Sequence, residues 1–426
     1  MNCKIVNAVI VTMNDKNEII QDGEIHIKDG IIQYVGAPGH EFNAQRIMDA
    51  NHNVVMPGFV NTHTHIAMNL FRSWADDLNL MDWLNNKIFP AEDKLSDELT
   101  YWGALLALCE MARNGTVAFN DQYFFLDGVA RAIKQSGHRA VISRGIVDPT
   151  PEVGERTFND GVAIYKKYNN VERIRVYMAP HAQYTNSNAM LERIADTAKS
   201  LGTGIHTHVS ETMGEHEACV AKHGKTPLQL MESLGLLDVP FLAAHCVYAT
   251  PEDMEILRDK NTAVLSCPQS NLKLASGIAP IKTMTDKGIL VALGTDGASS
   301  NNNLSMWEEM TYASFLQKGM TLDPTALPAM EALKLATKNG ALALGLNSGS
   351  LEKGRDADLV IIDTSDLRYV PNYNIVSNIV YSGCDRDVLL TMIGGDILYE
   401  DGKITFADEA EVRAQVKEIA EKIIAS

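Results

Sequence analysis

Eight β-rich runs alternate with helical stretches through the middle of this chain, and that alternation leaves few folds open. The runs are Met56 to Asn61, Thr116 to Asn120, Ala140 to Arg144, Arg175 to Ala179, Gly204 to Val209, Phe241 to Cys246, Ala263 to Cys267 and Leu290 to Gly294. Ser96 to Asn114 reads as a helix with Ser96 as its N-cap and Gly115 at its far end; Asn188 to Leu201 and Pro251 to Asp259 read as others. Parallel strands crossed over by helices build this pattern, and eight of them make a (β/α)8 TIM-like barrel, an α/β fold. Two doubly wound domains are the competing topology, but no glycine-rich fingerprint supports them.

The ends of the chain read differently. Ile5 to Thr12, Gly23 to Lys28 and Ile31 to Val35 are short strands, and so are Ala357 to Ile362, Val388 to Ile393 and Gly395 to Tyr399. The simplest arrangement is one small β-sandwich domain built from both termini, residues 1–57 and 348–426, around a barrel at 58–347. The tail from Ala407 to Ser426 has the pattern of an amphipathic helix packed on the surface.

A 426-residue chain with 46% hydrophobic residues has enough apolar material for one large barrel. Its net charge of -17 disfavours nucleic acid or an anionic membrane as a partner, while leaving a small nucleoside possible. Cys3, Cys109, Cys219, Cys246, Cys267 and Cys384 are scattered, with no Cys-x-x-Cys spacing, which fits a reducing, cytoplasmic setting. The N-terminus continues into strand pattern without a signal-peptide core, and no apolar run approaches the roughly 18 residues of a membrane span.

A barrel places its chemistry at the C-terminal ends of its strands. Here those ends carry His63 and His65, Asp121, Arg144, His181, His208, His245, Ser266 and Asp296. A lone pair of histidines at i and i+2 also occurs as ordinary surface or core residues. Only 12 histidines serve the whole chain, however, and chance would scatter them. A catalytic zinc site takes nitrogen and oxygen ligands and keeps one position open for water. His63, His65 and His208 supply three imidazoles and Asp296 a carboxylate. Glu211, three residues past His208, is placed to shuttle protons, and His245 to orient the water or polarise the electrophile. His206 shares a face with His208 but lies deeper, as a packed, hydrogen-bonded residue. The fourth strand has no lysine to bridge two metals, so one zinc per subunit is expected, although iron or manganese suits similar ligands. The His-x-Glu and Pro-Cys-x-x-Cys zinc pattern, a Gly-x-Ser-x-Gly elbow and a Walker loop are all absent.

With this ordered set the chain resembles the amidohydrolase superfamily over nearly its whole length. Within it, the chain is similar to the 5-methylthioadenosine/S-adenosylhomocysteine deaminases. That likeness is carried by Asn61-Thr62-His63-Thr64-His65, Asp82-Trp83-Leu84, Phe89-Pro90-Ala91-Glu92-Asp93, Ala244-His245-Cys246-Val247, the 270–277 stretch and Gly294-Thr295-Asp296-Gly297 through Asn302. The resemblance implies zinc on His63, His65, His208 and Asp296, with Glu211, His245 and Asp296 catalytic. It implies that Glu211 meets the purine ring nitrogen, Trp83 stacks on adenine and Glu92 takes the ribose hydroxyls. His181 would face the nucleoside, Arg144 and Arg156 would reach a homocysteine carboxylate, and Ser300 and Asp296 would join the substrate contacts. Trp83 taken alone also reads as a core aromatic, and Arg144 as a structural ion-pair partner. Ser266-Cys267-Pro268 departs from the His-Cys-Pro or His-Asn-Pro of relatives, which touches fine specificity rather than the metal set.

The implied reaction is hydrolytic deamination of adenine nucleosides at C6, giving inosine analogues and ammonia. The alternatives are hydrolysis of another aminated heterocycle, such as guanine or an s-triazine, and a non-catalytic scaffold. The expected partners are a small-molecule nucleoside and further copies of the chain in a homo-oligomer, a dimer or tetramer.

Overall fold

The computed structural model describes residues 2–78 and 80–425; Met1, Asn79 and Ser426, the last of these the end of the expected helical tail, lie outside the described residues. The alternating segment forms two parallel half-barrels. The first joins Phe59–Thr64, Thr116–Tyr123, Arg139–Ile146 and a fourth strand in two pieces, Ile174–Val176 and Ala179–Pro180. The second joins Ile205–Val209, Phe241–His245, Ala263–Ser266 and Val291–Leu293. Parallel bridges from Met178 to Ile205 and from Ala182 to His208 close one seam. At the other seam Asp296 N donates to His63 O at 2.9 Å and Thr62 Oγ1 to Leu293 O at 2.8 Å. The expected (β/α)8 barrel is therefore present.

The strands differ from the sequence reading in two places, each with a local cause. The Met56 to Asn61 run is divided, because Val54–Pro57 pairs in the terminal sheet and Phe59–Thr64 in the barrel. Gly58 makes the crossing, where an added Cβ would come within 2.2 Å of Val117 Cγ1. The fourth strand keeps its register but breaks at Tyr177 and Met178, since the Met178 backbone bonds Gly204 and His206 of the next strand instead.

Strands from both termini form one nine-stranded sheet. Cys3–Val11 is its hub, pairing Ile19–Lys28 on one side and both Arg46–Asp49 and Val54–Pro57 on the other. Arg46–Asp49 escapes a sequence reading because it is four residues long and its two apolar residues, Ile47 and Met48, are adjacent, with charged residues at both ends, so no strand alternation shows. Leu359–Ile362, Val388–Ile393, Asp396–Glu400 and Lys403–Ile404 make up the C-terminal part, and Arg139 ties it to the barrel by ion pairs to Asp356 (2.9 Å) and buried Asp358 (2.6 Å). The tail forms a helix over Glu409–Ala425, which buries Val412, Ile419 and Ile423 in the same cluster as the Asp97–Arg113 helix.

The helices end where their caps dictate. Ser96 Oγ accepts from Leu99 N, Ser187 Oγ from Met190 N, and Thr250 Oγ1 from Asp253 N, each satisfying an N–H that has no partner inside its helix. No helix among the described residues is long and apolar enough to cross a membrane.

Gly294 is where the seam beside Asp296 has no room for a side chain: a Cβ would lie 2.6 Å from His63 N and 2.8 Å from His63 O. Gly294→Ala should therefore cost about 1–3 kcal/mol in urea unfolding, as overpacking does. Gly319→Ala, whose Cβ meets nothing within 4 Å on the Met306–Thr321 helix, should be neutral or slightly stabilising.

Candidate active site

The site lies over the C-terminal ends of the barrel strands. His63 and His65 leave one face of the first strand at i and i+2. His208 is next to last in the fifth strand, His245 ends the sixth, and Asp296 follows the eighth. His245 (φ 70°), Asp296 (φ 61°) and Ser210 (φ 48°) all sit in the left-handed region that L-residues avoid. Strained backbone of this kind persists only where its surroundings over-determine it, and it clusters at functional sites.

Ring orientation is set from behind. His65 Nδ1–H donates to the Gln122 carbonyl, and His208 Nδ1–H donates to the His181 carbonyl at 2.6 Å. Both rings therefore present Nε2 to the centre. His63 Nδ1 meets His206 Nε2 at 2.8 Å, and His206 Nδ1 meets Ser143 Oγ at 3.4 Å. Burial first, and then the facing histidines, hold His206 well below the ordinary histidine pKa, so it accepts the His63 proton as a neutral ring. His206 is the deep, hydrogen-bonded residue that its position in the strand suggested. Asp296 Oδ2 accepts from Ser270 Oγ (2.6 Å) and Ser300 Oγ (3.0 Å), which leaves Oδ1 facing inward. Burial works against the Asp296 carboxylate, yet the contacts from His63 and His65 hold its pKa well below the ordinary range.

Four ligand atoms converge. Asp296 Oδ1 is 3.4 Å from His63 Nε2 and 3.1 Å from His65 Nε2, and His65 Nε2 is 3.4 Å from His208 Nε2. A tetrahedral ion with ligand bonds of about 2.05 Å has edges of about 3.3 Å. His63 Nε2 is buried and makes no well-formed hydrogen bond, an orphan that a metal would satisfy. The donor set fits one metal ion. His63 and Asp296 also group with His245. The His245 Nδ1–H, however, donates to Asn271 Oδ1 at 2.9 Å, and its Nε2 points to Glu211 Oε2 at 3.9 Å.

Above the cluster is a narrow cavity of about 60 Å³ that opens beside a groove of about 1320 Å³. Trp83, Glu92, His181, Glu211, His245 and Asp296 line the cavity. The helical insert Leu80–Trp83, Leu84–Ile88 and Phe89–Glu92 forms its roof, with Trp83, Leu84 and Ile88 facing inward as an apolar wall. Burial raises Glu211 above its usual 4.5. Burial also raises Glu92 to about 7, against the pull of the neighbouring Tyr123 hydroxyl.

Arg144 and Arg156 line the groove rather than the cavity. Arg144 lies over the Phe124 ring at 4.7 Å, with Asp160 3.9 Å away, while Arg156 is exposed and makes no ion pair among the described residues. Ser300 is placed otherwise than a substrate contact: it is 2% exposed, does not line the cavity, and spends its hydroxyl on Asp296. Asp121 also stands behind the site, where Oδ1 accepts from Ile66 N at 2.7 Å and so fixes the turn after His65. Ser266 is buried and does not line the cavity. Sequence reasoning missed Tyr123, Asn271 and Ser270, because neutral polar residues at strand ends and helix starts carry no spacing signal.

A profile of the amidohydrolase family matches residues 54–398. This chain belongs to the amidohydrolase family. It is 44% identical over 423 residues to a 5-methylthioadenosine/S-adenosylhomocysteine deaminase of Dictyoglomus thermophilum, covering 99% of each chain. It is 42% identical to a 5'-deoxyadenosine deaminase of Methanosarcina mazei, covering 99% of this chain and 98% of that one. Among solved structures it superposes on a zinc-bound adenosine deaminase from Xanthomonas campestris with a TM-score of 0.96 and 33% identity, over 100% of this chain and 99% of the other.

Replacing His206 by Phe removes the acceptor for His63 Nδ1–H while keeping a ring in the pocket. His206→Phe should weaken metal affinity by roughly 10–100-fold, read by competition with a chromogenic chelator. Unchanged affinity would show that His63 holds its orientation without this contact.

Proposed function

We propose that the chain is a zinc-dependent aminohydrolase that deaminates adenine nucleosides at C6, 5′-methylthioadenosine and S-adenosylhomocysteine among them. The products are the inosine analogue and ammonia. The observation that carries this reading is a buried glutamic acid, Glu211, beside His245 and facing a convergent His63/His65/His208/Asp296 cluster inside a narrow, apolar-walled cavity. The names of the relatives above support the nucleoside as substrate.

Zinc on His63, His65, His208 and Asp296 would supply Lewis acidity, lowering the pKa of a bound water from near 15.7 to about 7. The remaining work falls to side chains. The purine ring lies against Trp83, and its N1 takes a proton from Glu211, which burial keeps protonated above the ordinary glutamate range. That protonation makes C6 electrophilic. The water oxygen adds to C6 as a hydroxyl while its other proton passes to His245 Nε2, with the Asp296 carboxylate helping to aim it. His245 is the suited acceptor because Asn271 occupies its Nδ1–H. Glu211, now a carboxylate 3.9 Å from His245 Nε2, takes over the proton that His245 received from the water and delivers it to N6. The C6–N6 bond breaks and ammonia leaves, while the C6 hydroxyl gives its proton to Glu211, which forms the product carbonyl and restores the acid.

Glu92 accepts the ribose hydroxyls and His181 packs against the nucleoside. Arg144 and Arg156 face the groove into which a 5′ substituent extends, and a homocysteinyl carboxylate matches their charge. Ser300 acts through Asp296. The reading includes a cytoplasmic homo-oligomer, for which exposed Tyr312, Phe315 and Leu322 offer apolar surface.

Two outcomes test this assignment. Glu211→Gln should keep its metal and lose turnover of 5′-methylthioadenosine by at least ~100-fold; near-parental turnover would rule Glu211 out as the proton carrier. Glu92 can accept from both ribose hydroxyls at once only as a carboxylate, and its pKa is raised to about 7. KM for ribosides should therefore rise as pH falls below about 7, and Glu92→Gln should abolish that dependence.

A further inference from the structure

Thr212 caps the Met213–His223 helix, its hydroxyl accepting from Glu215 N at 3.2 Å. Glu215 is thus three residues into the cap, where a glutamate ordinarily reaches back to the backbone N–H of the capping residue itself. Here it reaches further. Oε1 accepts from Ser210 N at 3.1 Å and Oε2 from Glu211 N at 2.7 Å. Both oxygens of a buried carboxylate are committed to the two residues that carry Glu211 into the cavity.

That segment needs holding. Ser210 is a non-glycine residue at φ 48°, and the chain turns there from the fifth strand toward the helix. Among the described residues the Glu211 carboxyl has only long contacts, Ser276 Oγ at 3.4 Å and His245 Nε2 at 3.9 Å, to fix it. Its aim is therefore set by its backbone, and Glu215 anchors that backbone.

We propose that Glu215 is a positioning residue for Glu211: its carboxylate pins the Ser210–Glu211 amides in the left-handed turn that directs the Glu211 carboxyl at the reacting ring nitrogen. The inference rests on Glu211 being the proton carrier. Two N–H groups donate to two oxygens, so the carboxylate is required. In glutamine one oxygen becomes an NH2 that confronts a backbone N–H, and in aspartate the reach is one methylene short.

The test uses the full-length, zinc-loaded protein with 5′-methylthioadenosine, in Glu215→Gln, Glu215→Asp, Glu211→Gln and the double Glu211→Gln/Glu215→Gln. Metal content and thermal unfolding are measured beside kcat and KM. Both Glu215 variants should keep their metal and lose kcat by roughly 10- to 100-fold, as a displacement of about 1 Å gives, with KM within about threefold of the parent. The double variant should be no slower than Glu211→Gln alone, since Glu215 acts only through Glu211. A kcat within about twofold of the parent in both Glu215 variants, or losses that multiply in the double variant, would overturn the proposal. So would failure of both Glu215 variants to fold, which would make the residue structural. If instead Glu211→Gln itself turns over normally, the reading of Glu211 fails first and takes this inference with it.

Discussion

The closure of the barrel between its first and eighth strands is the constraint on which the site depends. Asn61 Nδ2 donates to Thr295 Oγ1 (2.7 Å), Thr295 N donates to Asn61 Oδ1 (3.0 Å), and Asp296 N donates to His63 O (2.9 Å). Residues more than 230 apart in sequence are clamped by this reciprocal set, and Gly294 allows the backbones to approach. Only then does Asp296 meet His63 and His65. The apolar layer between strands and outer helices, with Val60 buried against Gly340 of the Lys338–Ala343 helix, holds the seam in place.

Burial then assigns charge states. It disfavours ionisation at every group, and the outcome depends on what each group touches. His206 loses its charge and becomes an acceptor. Glu211 is raised because its neighbours compensate burial poorly. Asp296 stays ionised because two imidazoles face it. One cavity thus pushes two carboxyl groups in opposite directions, Asp296 down and Glu211 up, the divergence from which acid and base roles are built. The left-handed residues His245, Asp296 and Ser210 each store strain of about 1–3 kcal/mol, offset by the packing around them.

The barrel was legible because long apolar runs and capped helices carry periodic signals: Asn188–Leu201 and Pro251–Asp259 fall where the sequence places them. The cluster of histidines was legible because strand ends of a barrel converge. The split at Pro57 and Gly58 was not, since an apolar run looks the same whether one sheet or two receives it. The supporting groups were hidden for a different reason. Asn271, Ser270 and Ser143 act through one or two side-chain hydrogen bonds set by tertiary contact, and Ser300 turns its hydroxyl to Asp296 rather than to the cavity. The cap Thr212 with Glu215 three residues on is a readable motif, but its longer reach to Ser210 and Glu211 appears only in three dimensions.

The most direct measurement is ammonia release, followed with the loss of adenosine absorbance, from zinc-replete protein. The substrates are S-adenosylhomocysteine, 5′-methylthioadenosine, 5′-deoxyadenosine, adenosine and free adenine. The account predicts turnover of the nucleosides and not of adenine, with the 5′ substituent ranking them. Silence on all five substrates, or equal turnover of adenine, would contradict it.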